Sequence, residues 1–527
     1  MYSCLDNPAD ASLLHALWEQ AETQRDAVWI REVDGPTLTF AQAADDAARV
    51  AGLLQYHGVK PGERVGLMMH NGLDFVRAFF GIQASGAVAV LINTELRGDF
   101  LAHQLRNSAV RLVVTESAFA ETIIEASQGT ALQALICDRA HASALNVQSW
   151  SDWRDAEAVD RNAPDPGSVA CIMYTSGTSG PAKGVLMPHA HLALYGIGAI
   201  GAFEVTDADR YYIVLPLFHA NGLLMQLGTT LLAGIEAVLR DRFSASNWLS
   251  DIRSHGATLT HLLGALAAFV VDQPERPDDR DHRLRAVLNG PNVPEIETIL
   301  RDRFGVDDVI SGFGMTEVNI PIWGRVGRST PGAAGWPRDD WFDVIIADPE
   351  TDRELPRGQQ GEILIRPRVP GAFMAGYLDI PDRTVEAWRN LWFHTGDAGR
   401  MEEDGLVTFV GRIKDNIRRR GENISASEVE ASLSSLPGIA EVAAFAVPSD
   451  IVGGEDELML AVVREPGRQV GEADLLRAAD GRLPRFARPR FLRFDESLPK
   501  TATGKIQHAI LRQRGAEGAY DRDAGDS

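Results

Sequence analysis

The chain has 527 residues, 45% of them apolar and 24% charged, and a formal net charge of −22. That length exceeds one ordinary core and fits about three or four compact units of a globular protein, while the acidic balance argues against a nucleic-acid binder, which needs clustered Lys and Arg. The three cysteines (Cys4, Cys137, Cys171) form no CxxC pair and no regular spacing, which argues against a disulfide framework or a zinc site and fits a reducing compartment.

The N-terminal "MYSCLDNPADASLLHALWEQ" lacks a basic segment followed by an apolar one, and no run approaches the roughly 18 apolar residues of a membrane span. A cytoplasmic protein is expected. Strand-like runs then alternate with helical periodicity: "RVGLMMH" (64–70), "DFVRAFFGIQASGA", "AVAVLIN" (87–93), "RLVVTES" and "ALICD". This alternation predicts parallel sheets covered by helices. "TPGAAGWPRDD" (330–340) reads as a turn-rich connection into the short strands "WFDVIIADPE" and "GEILIRP", a β-rich subdomain. After "LVTFVGRIKD" a capped helix is expected over 425–433, with Ser427 and Glu430 at capping-box spacing. "IAEVAAFAVPSD", "DELMLAVV", "DLLRAADGRL" and "RFLRFDESL" then predict strand, strand, helix and strand, an α+β unit of roughly a hundred residues. The polar, acidic end "GAEGAYDRDAGDS" is expected to be disordered.

The segment "CIMYTSGTSGPAKGV" (171–185) carries the first chemical signal. Met173 closes a buried strand. Gly177, Gly180 and Gly184 let the backbone approach a ligand, and main-chain N–H groups with the hydroxyls of Thr175, Ser176, Thr178 and Ser179 suit anionic oxygens. The Walker pattern fails, because Pro181 follows Gly180 and Gly184 follows Lys183. On its own the segment also fits a plain surface loop. It is joined, in order, by "LPLFHANG" (215–222), "NGPNVP" (289–294), "GFGMTE" (312–317), "HTGD" (394–397), "GRIKD" (411–415), "RRGENISASEVE" (419–430) and "PKTATGKI" (499–506).

With these motifs the chain closely resembles the adenylate-forming superfamily of acyl-CoA synthetases, luciferases and peptide-synthetase adenylation domains, from about residue 10 to 515. The resemblance implies an α/β fold: a large N-terminal domain (1–411) of parallel and mixed sheets sandwiched by helices, with a β-rich subdomain (about 325–411), and a small mobile α+β C-terminal domain (412–515) before the tail (516–527). It implies that Thr175, Ser176, Gly177, Thr178, Ser179, Gly180 and Lys183 form the loop over the β- and γ-phosphates of ATP. Gly290, Pro291 and Asn292 would line adenine, and Gly312, Phe313, Gly314 and Met315 would continue that wall, with Phe313 as the stacking aromatic. Thr316 would lie near the α-phosphate, and Glu317 would help hold Mg²⁺, a hard cation that takes oxygen ligands. Asp397 would contact the ribose, Arg412 would be a second ribose or phosphate contact, Lys505 would reach the α-phosphate and the substrate carboxylate, and Lys414 would be the hinge.

The implied reaction joins a carboxylic acid to CoA through an acyl-adenylate. Gly421 would line the pantetheine tunnel; Arg418, Arg419 and Arg420 would either meet CoA phosphates or form a solvated charge run. His219, Ala220, Asn221, Leu223, Gly264 and Ala265 would line the acyl pocket, His219 acting as a gate or simply as a satisfied histidine. "RRRGENIS" and "LGA" (263–265) are similar to crotonobetaine/carnitine-CoA ligases. A quaternary ammonium would want an aromatic cage or a carboxylate, yet segments 215–230, 255–270 and 311–324 contain only one acid, Glu317. A medium-chain, cyclic or aromatic acid is therefore expected, with a carnitine-type acid as the alternative. The implied partners are that acid, ATP and CoA; neither nucleic acid nor a membrane span is expected, and a homodimer is left open. A peptide-synthetase adenylation domain should carry an Asp where His219 stands and a carrier domain after 515. A luciferase-like oxygenase is not separated by motif, and a non-catalytic relative should have lost Lys505, Glu317 or the loop.

Overall fold

A computed structural model describes residues 2–138, 145–175, 182–263, 265–290, 293–413, 416–419, 422–449, 456–483, 487–501 and 505–526. The alternating runs fold as predicted. Strands Arg64–Met68, Val88–Leu91, Leu112–Thr115, Ala134–Ile136 and Asn146–Gln148 lie parallel in one eight-stranded sheet. Val169–Thr175 extends it in parallel, and Lys183–Pro188 turns back antiparallel. A second, seven-stranded sheet is parallel through 236–239, 210–213, 259–263, 286–290 and 308–310.

The helix His189–Phe203 has no charged Asp, Glu, Lys or Arg and is buried on nearly every face. A helix apolar all round must be enclosed, and its side chains join the main core with both sheets. The β-rich subdomain is an antiparallel sheet of Phe342–Ala347, Gln360–Pro367, Phe393–Met401 and Val407–Arg412.

The C-terminal unit is α+β. Strands Ile439–Val447, Glu457–Arg464 and Phe491–Phe494 carry helices Ala426–Ser434 and Glu472–Arg482 on one face, packed through Leu433, Val442, Leu460, Leu475 and Ala479. Two expectations are corrected here. The tail is not wholly structureless: Tyr520–Asp521 adds a fourth strand antiparallel to Phe491–Phe494, and Arg490 holds Asp521 at 3.0 Å. The ion pair gives an acidic segment a docking point that composition does not reveal. The helix also begins at Ala426, which puts Ser427 inside it, so Ser427 and Glu430 are not a capping box. Glu430 instead accepts from the Ala444 N–H at 2.8 Å and lies 2.7 Å from His508 Nε2. None of the three cysteines is in a disulfide, and among the described residues no helix is long and apolar enough to cross a membrane.

Candidate active site

Thr175 and Lys183 face one another across the antiparallel strands that flank the 171–185 motif. Ser176, Gly177, Thr178, Ser179 and Gly180 lie outside the described residues. Lys183 Nζ sits 4.1 Å from the centroid of the Tyr377 ring, a cation–π distance. Tyr377 belongs to a two-residue strand against Lys183–Pro188, and its hydroxyl donates to Glu317 Oε1 at 2.9 Å. One tyrosine thus joins the loop lysine to the buried acid of "GFGMTE". Tyr377 was missed in the sequence; its only signal is the "GY" that ends the β-rich crossing.

The "GFGMTE" segment is a strand, Gly312–Met315, hairpinned onto Asn319–Trp323. Gly314 has no room for a side chain, since a Cβ there would lie 2.2 Å from the Asn319 carbonyl oxygen. The buried helix fixes the segment from behind. Tyr195 OH donates to the Met315 carbonyl at 2.9 Å, and the His191 ring lies between the carbonyls of Thr316 (2.9 Å) and Ala372 (2.7 Å). Burial lowers the His191 pKa to about 4, although both carbonyls favour the charged ring. The Thr316 main chain is therefore gripped from behind, while the Glu317 side chain is anchored by the Tyr377 hydroxyl. Phe313 stacks on Phe409 at 5.9 Å and 28°, and Phe409 is 41% exposed, so the aromatic wall here is a pair. Gly290 ends its strand beside Leu263; Pro291 and Asn292 lie outside the described residues.

"HTGD" sits where Phe393–Met401 bends. Thr395 Oγ1 donates to the Ile363 carbonyl at 2.7 Å and accepts from the Asp397 N–H at 3.0 Å. Gly396 adopts φ +69°, a left-handed turn, and its N–H donates to Glu362 Oε1 at 2.9 Å. The buried Asp397 pairs in register with Arg412 on the neighbouring strand. The two residues expected at the ribose thus share one rung of the sheet.

The third wall follows the C-terminal ends of the parallel strands of the second sheet, where open α/β sheets bind ligands. After the strand Arg210–Ile213, the chain passes His219 and Ala220 into a π-helical turn, Asn221–Leu227, a winding that frequently marks functional positions. Asn221 is hydrogen-bonded inward to His261, and Leu223 is buried in the main core. His219 is exposed to solvent as a residue, yet surrounding groups crowd its ring. Desolvation, with a smaller repulsion from the Lys505 ammonium, lowers its pKa to about 4. Lys505 of the C-terminal unit is therefore close enough to His219 to disfavour its charged form. It is exposed, with Thr501 N–H donating to its carbonyl at 2.8 Å and its own N–H donating to Thr501 Oγ1 at 3.1 Å. Ala265 opens the helix Ala265–Val271, and Arg419 ends the strand Asn416–Arg419. Gly264, Lys414, Arg420 and Gly421 lie outside the described residues.

The structure thus sets Lys183 and the buried Glu317 against Tyr377, pairs Phe313 with Phe409, and brings Lys505 near His219. Comparison with known proteins identifies the family. Residues 17–378 match the AMP-binding enzyme family, and residues 428–505 match the AMP-binding enzyme C-terminal domain. The chain is 33% identical over 469 residues to the medium/long-chain-fatty-acid–CoA ligase FadD17 of Mycobacterium tuberculosis, covering 87% of each chain. It is 30% identical over 488 residues to the crotonobetaine/carnitine–CoA ligase of Salmonella typhi, covering 89% of this chain and 92% of that one. The crystal structure of ATP-bound MatB from Rhodopseudomonas palustris superposes with a TM-score of 0.83 at 25% identity, over 96% of this chain and 99% of that one. The chain belongs to the family of AMP-binding, adenylate-forming enzymes, and the relatives it matches along nearly their whole length are CoA ligases.

Proposed function

We propose that the protein is an ATP-dependent acyl-CoA synthetase acting on a medium-chain, cyclic or aromatic carboxylic acid. The observation that carries this reading is the contact of Lys183, Tyr377 and Glu317, which brings a phosphate-loop cation and an oxygen ligand to one point of the cleft.

In the first half, a carboxylate oxygen attacks the α-phosphorus of ATP and the bond to the bridging oxygen breaks, releasing pyrophosphate and leaving acyl-AMP. No protein nucleophile is needed; alignment and charge neutralisation are. Lys505 meets the carboxylate and α-phosphate, and Lys183 meets the leaving pyrophosphate. His219, neutral above about pH 5 with its pKa near 4, leaves Lys505 as the cation at that end. Glu317 is a carboxylate donor there, which fits Mg²⁺, an ion that takes one or two carboxylates beside phosphate oxygens and water. When bound, Mg²⁺ would supply neutralisation of phosphate charge. Asp397 and Arg412 hold the ribose, and Phe313 with Phe409 flanks the base.

In the second half, the CoA thiol loses its proton and attacks the acyl carbonyl, and AMP leaves. The C-terminal unit turns about Lys414 between the halves, so that Lys505 withdraws and Arg419, Arg420 and Gly421 approach CoA. A quaternary ammonium acid is disfavoured, because the acyl wall offers no second carboxylate. AMP release across a panel of carboxylic acids, with and without CoA, tests the reading. CoA-dependent acyl-CoA with stoichiometric AMP is expected, and AMP formed with none of the acids overturns it.

A further inference from the structure

Beneath residues 219–221 runs a buried polar chain that the reaction above does not use. Tyr211 OH is 2.6 Å from His261 Nε2, and His261 Nδ1 is 2.6 Å from Asn221 Oδ1. Tyr211 and His261 are fully buried, and Phe203 stacks on the imidazole at 5.5 Å and 14°. Burial lowers the His261 pKa to about 3, so the ring is neutral and carries a single N–H.

The direction of the chain follows from its buried end. A phenol has one proton to give, and among the described residues the Tyr211 hydroxyl meets only His261. Tyr211 therefore donates to Nε2, and the ring's proton sits on Nδ1 and is donated to Asn221 Oδ1. The reverse order would bury the phenol proton without an acceptor. Asn221 thus commits its oxygen inward. Its NH₂ group is left at the half-buried start of the π-helical turn, where its acceptor among the described residues is the Met225 thioether at 3.4 Å. Sulfur is a weak acceptor. The same contact fixes the amide, because exchanging O and N would set oxygen lone pairs against sulfur lone pairs.

We propose that Asn221 is a specificity-determining donor, held by Tyr211 and His261, that hydrogen-bonds an acceptor oxygen on the acyl group, so that the preferred acid is hydroxy-, oxo- or ether-substituted rather than a plain hydrocarbon. This rests on the placement of Asn221 in the acyl pocket under the proposed function. A plain chain packed against this amide leaves a desolvated donor poorly paired, and sites built to hydrogen-bond a substrate oxygen reject analogues that lack it.

The test compares pyrophosphate release with hexanoate and with its positional hydroxy and oxo derivatives, in the wild type, Asn221→Leu and Tyr211→Phe. Wild type is expected to favour at least one oxygenated acid by about tenfold or more in kcat/KM. That ratio falls to about one in Asn221→Leu and part of the way in Tyr211→Phe, whose freed imidazole no longer dictates the amide. Retention of the ATP-induced rise in melting temperature shows that each variant is folded, and Asn221→Ser is read in the same way if Asn221→Leu is not. A wild type that uses hexanoate as well as every derivative overturns the inference, as does a ratio that survives Asn221→Leu or a fall of both substrates in proportion. These outcomes leave the ligase reading standing; a failure of every acid to support pyrophosphate release removes both.

Discussion

The two ends of the cleft are held in different ways. At the proposed phosphate end the anchoring runs largely to the main chain: Tyr195 and His191 grip the carbonyls of Met315 and Thr316, and Thr395 and Glu362 shape the turn before Asp397, with the Tyr377 hydroxyl on Glu317 as the side-chain contact. At the acyl end the anchoring passes through side chains, from Tyr211 through His261 to Asn221, over an apolar core. A backbone-held site keeps its geometry when a side chain changes, so substitutions there should remove chemistry. A site held through side chains should change its preference instead.

The sharpest test of that contrast is Lys505→Ala. Pyrophosphate release should fall about 10²- to 10³-fold, the cost of losing a preorganised charge stabiliser, while conversion of supplied acyl-AMP to acyl-CoA falls far less. A loss below about tenfold, or an equal loss in both halves, would break the division of labour. Next in size is Ala220→Phe at the acyl wall. Filling the pocket should shift preference toward shorter acids by about 10- to 100-fold, with the KM for ATP unmoved; a raised KM for ATP would mean that the two ends are not separable.

The contrast also explains what could be read from the chain. Lys183, Gly312 to Glu317, Asp397 and Lys505 stand in contiguous motifs, because a phosphate site built from turns needs glycines and hydroxyls side by side in sequence. The alternating strands and helices were legible for a similar reason: periodicity is local. Tyr377 lies 60 residues from the acid it touches, and His261 lies 50 and 40 residues from its partners. Contacts made by single aromatic or polar residues on strands leave no local pattern. Glu430 shows the converse, a local pattern overridden when the Ala444 N–H and His508 offered it tertiary partners.

Tyr377→Phe tests the missed residue. The ring that faces Lys183 remains, but the hydrogen bond to Glu317 is lost, a net effect of about 0.5–1.5 kcal/mol. The KM for ATP and the Mg²⁺ concentration for half-maximal rate should rise about 3- to 10-fold with kcat nearly held. A fall in kcat alone would place Tyr377 in the chemistry rather than in positioning.

The smallest expected effect concerns His219, where the two ends meet. Its folded-state pKa, about 4, lies below the ordinary histidine value of 6.5, from desolvation first and the Lys505 charge second. Between those values the unfolded chain binds a proton that the folded chain does not, so acidification favours unfolding. The contribution is intact above about pH 6.5 and is lost as pH falls toward 4. His219→Gln removes this proton uptake. Its melting temperature should therefore decline less between pH 7 and 5 than that of the wild type, by an amount reduced because the residue is exposed to solvent. Lys505→Ala should move the wild-type decline slightly in the same direction, since removing the ammonium raises the histidine pKa and narrows the gap. Should Lys505→Ala leave the His219-dependent part of the decline unchanged, the lysine does not face the acyl wall in the resting enzyme, and the cleft closes only when substrates arrive.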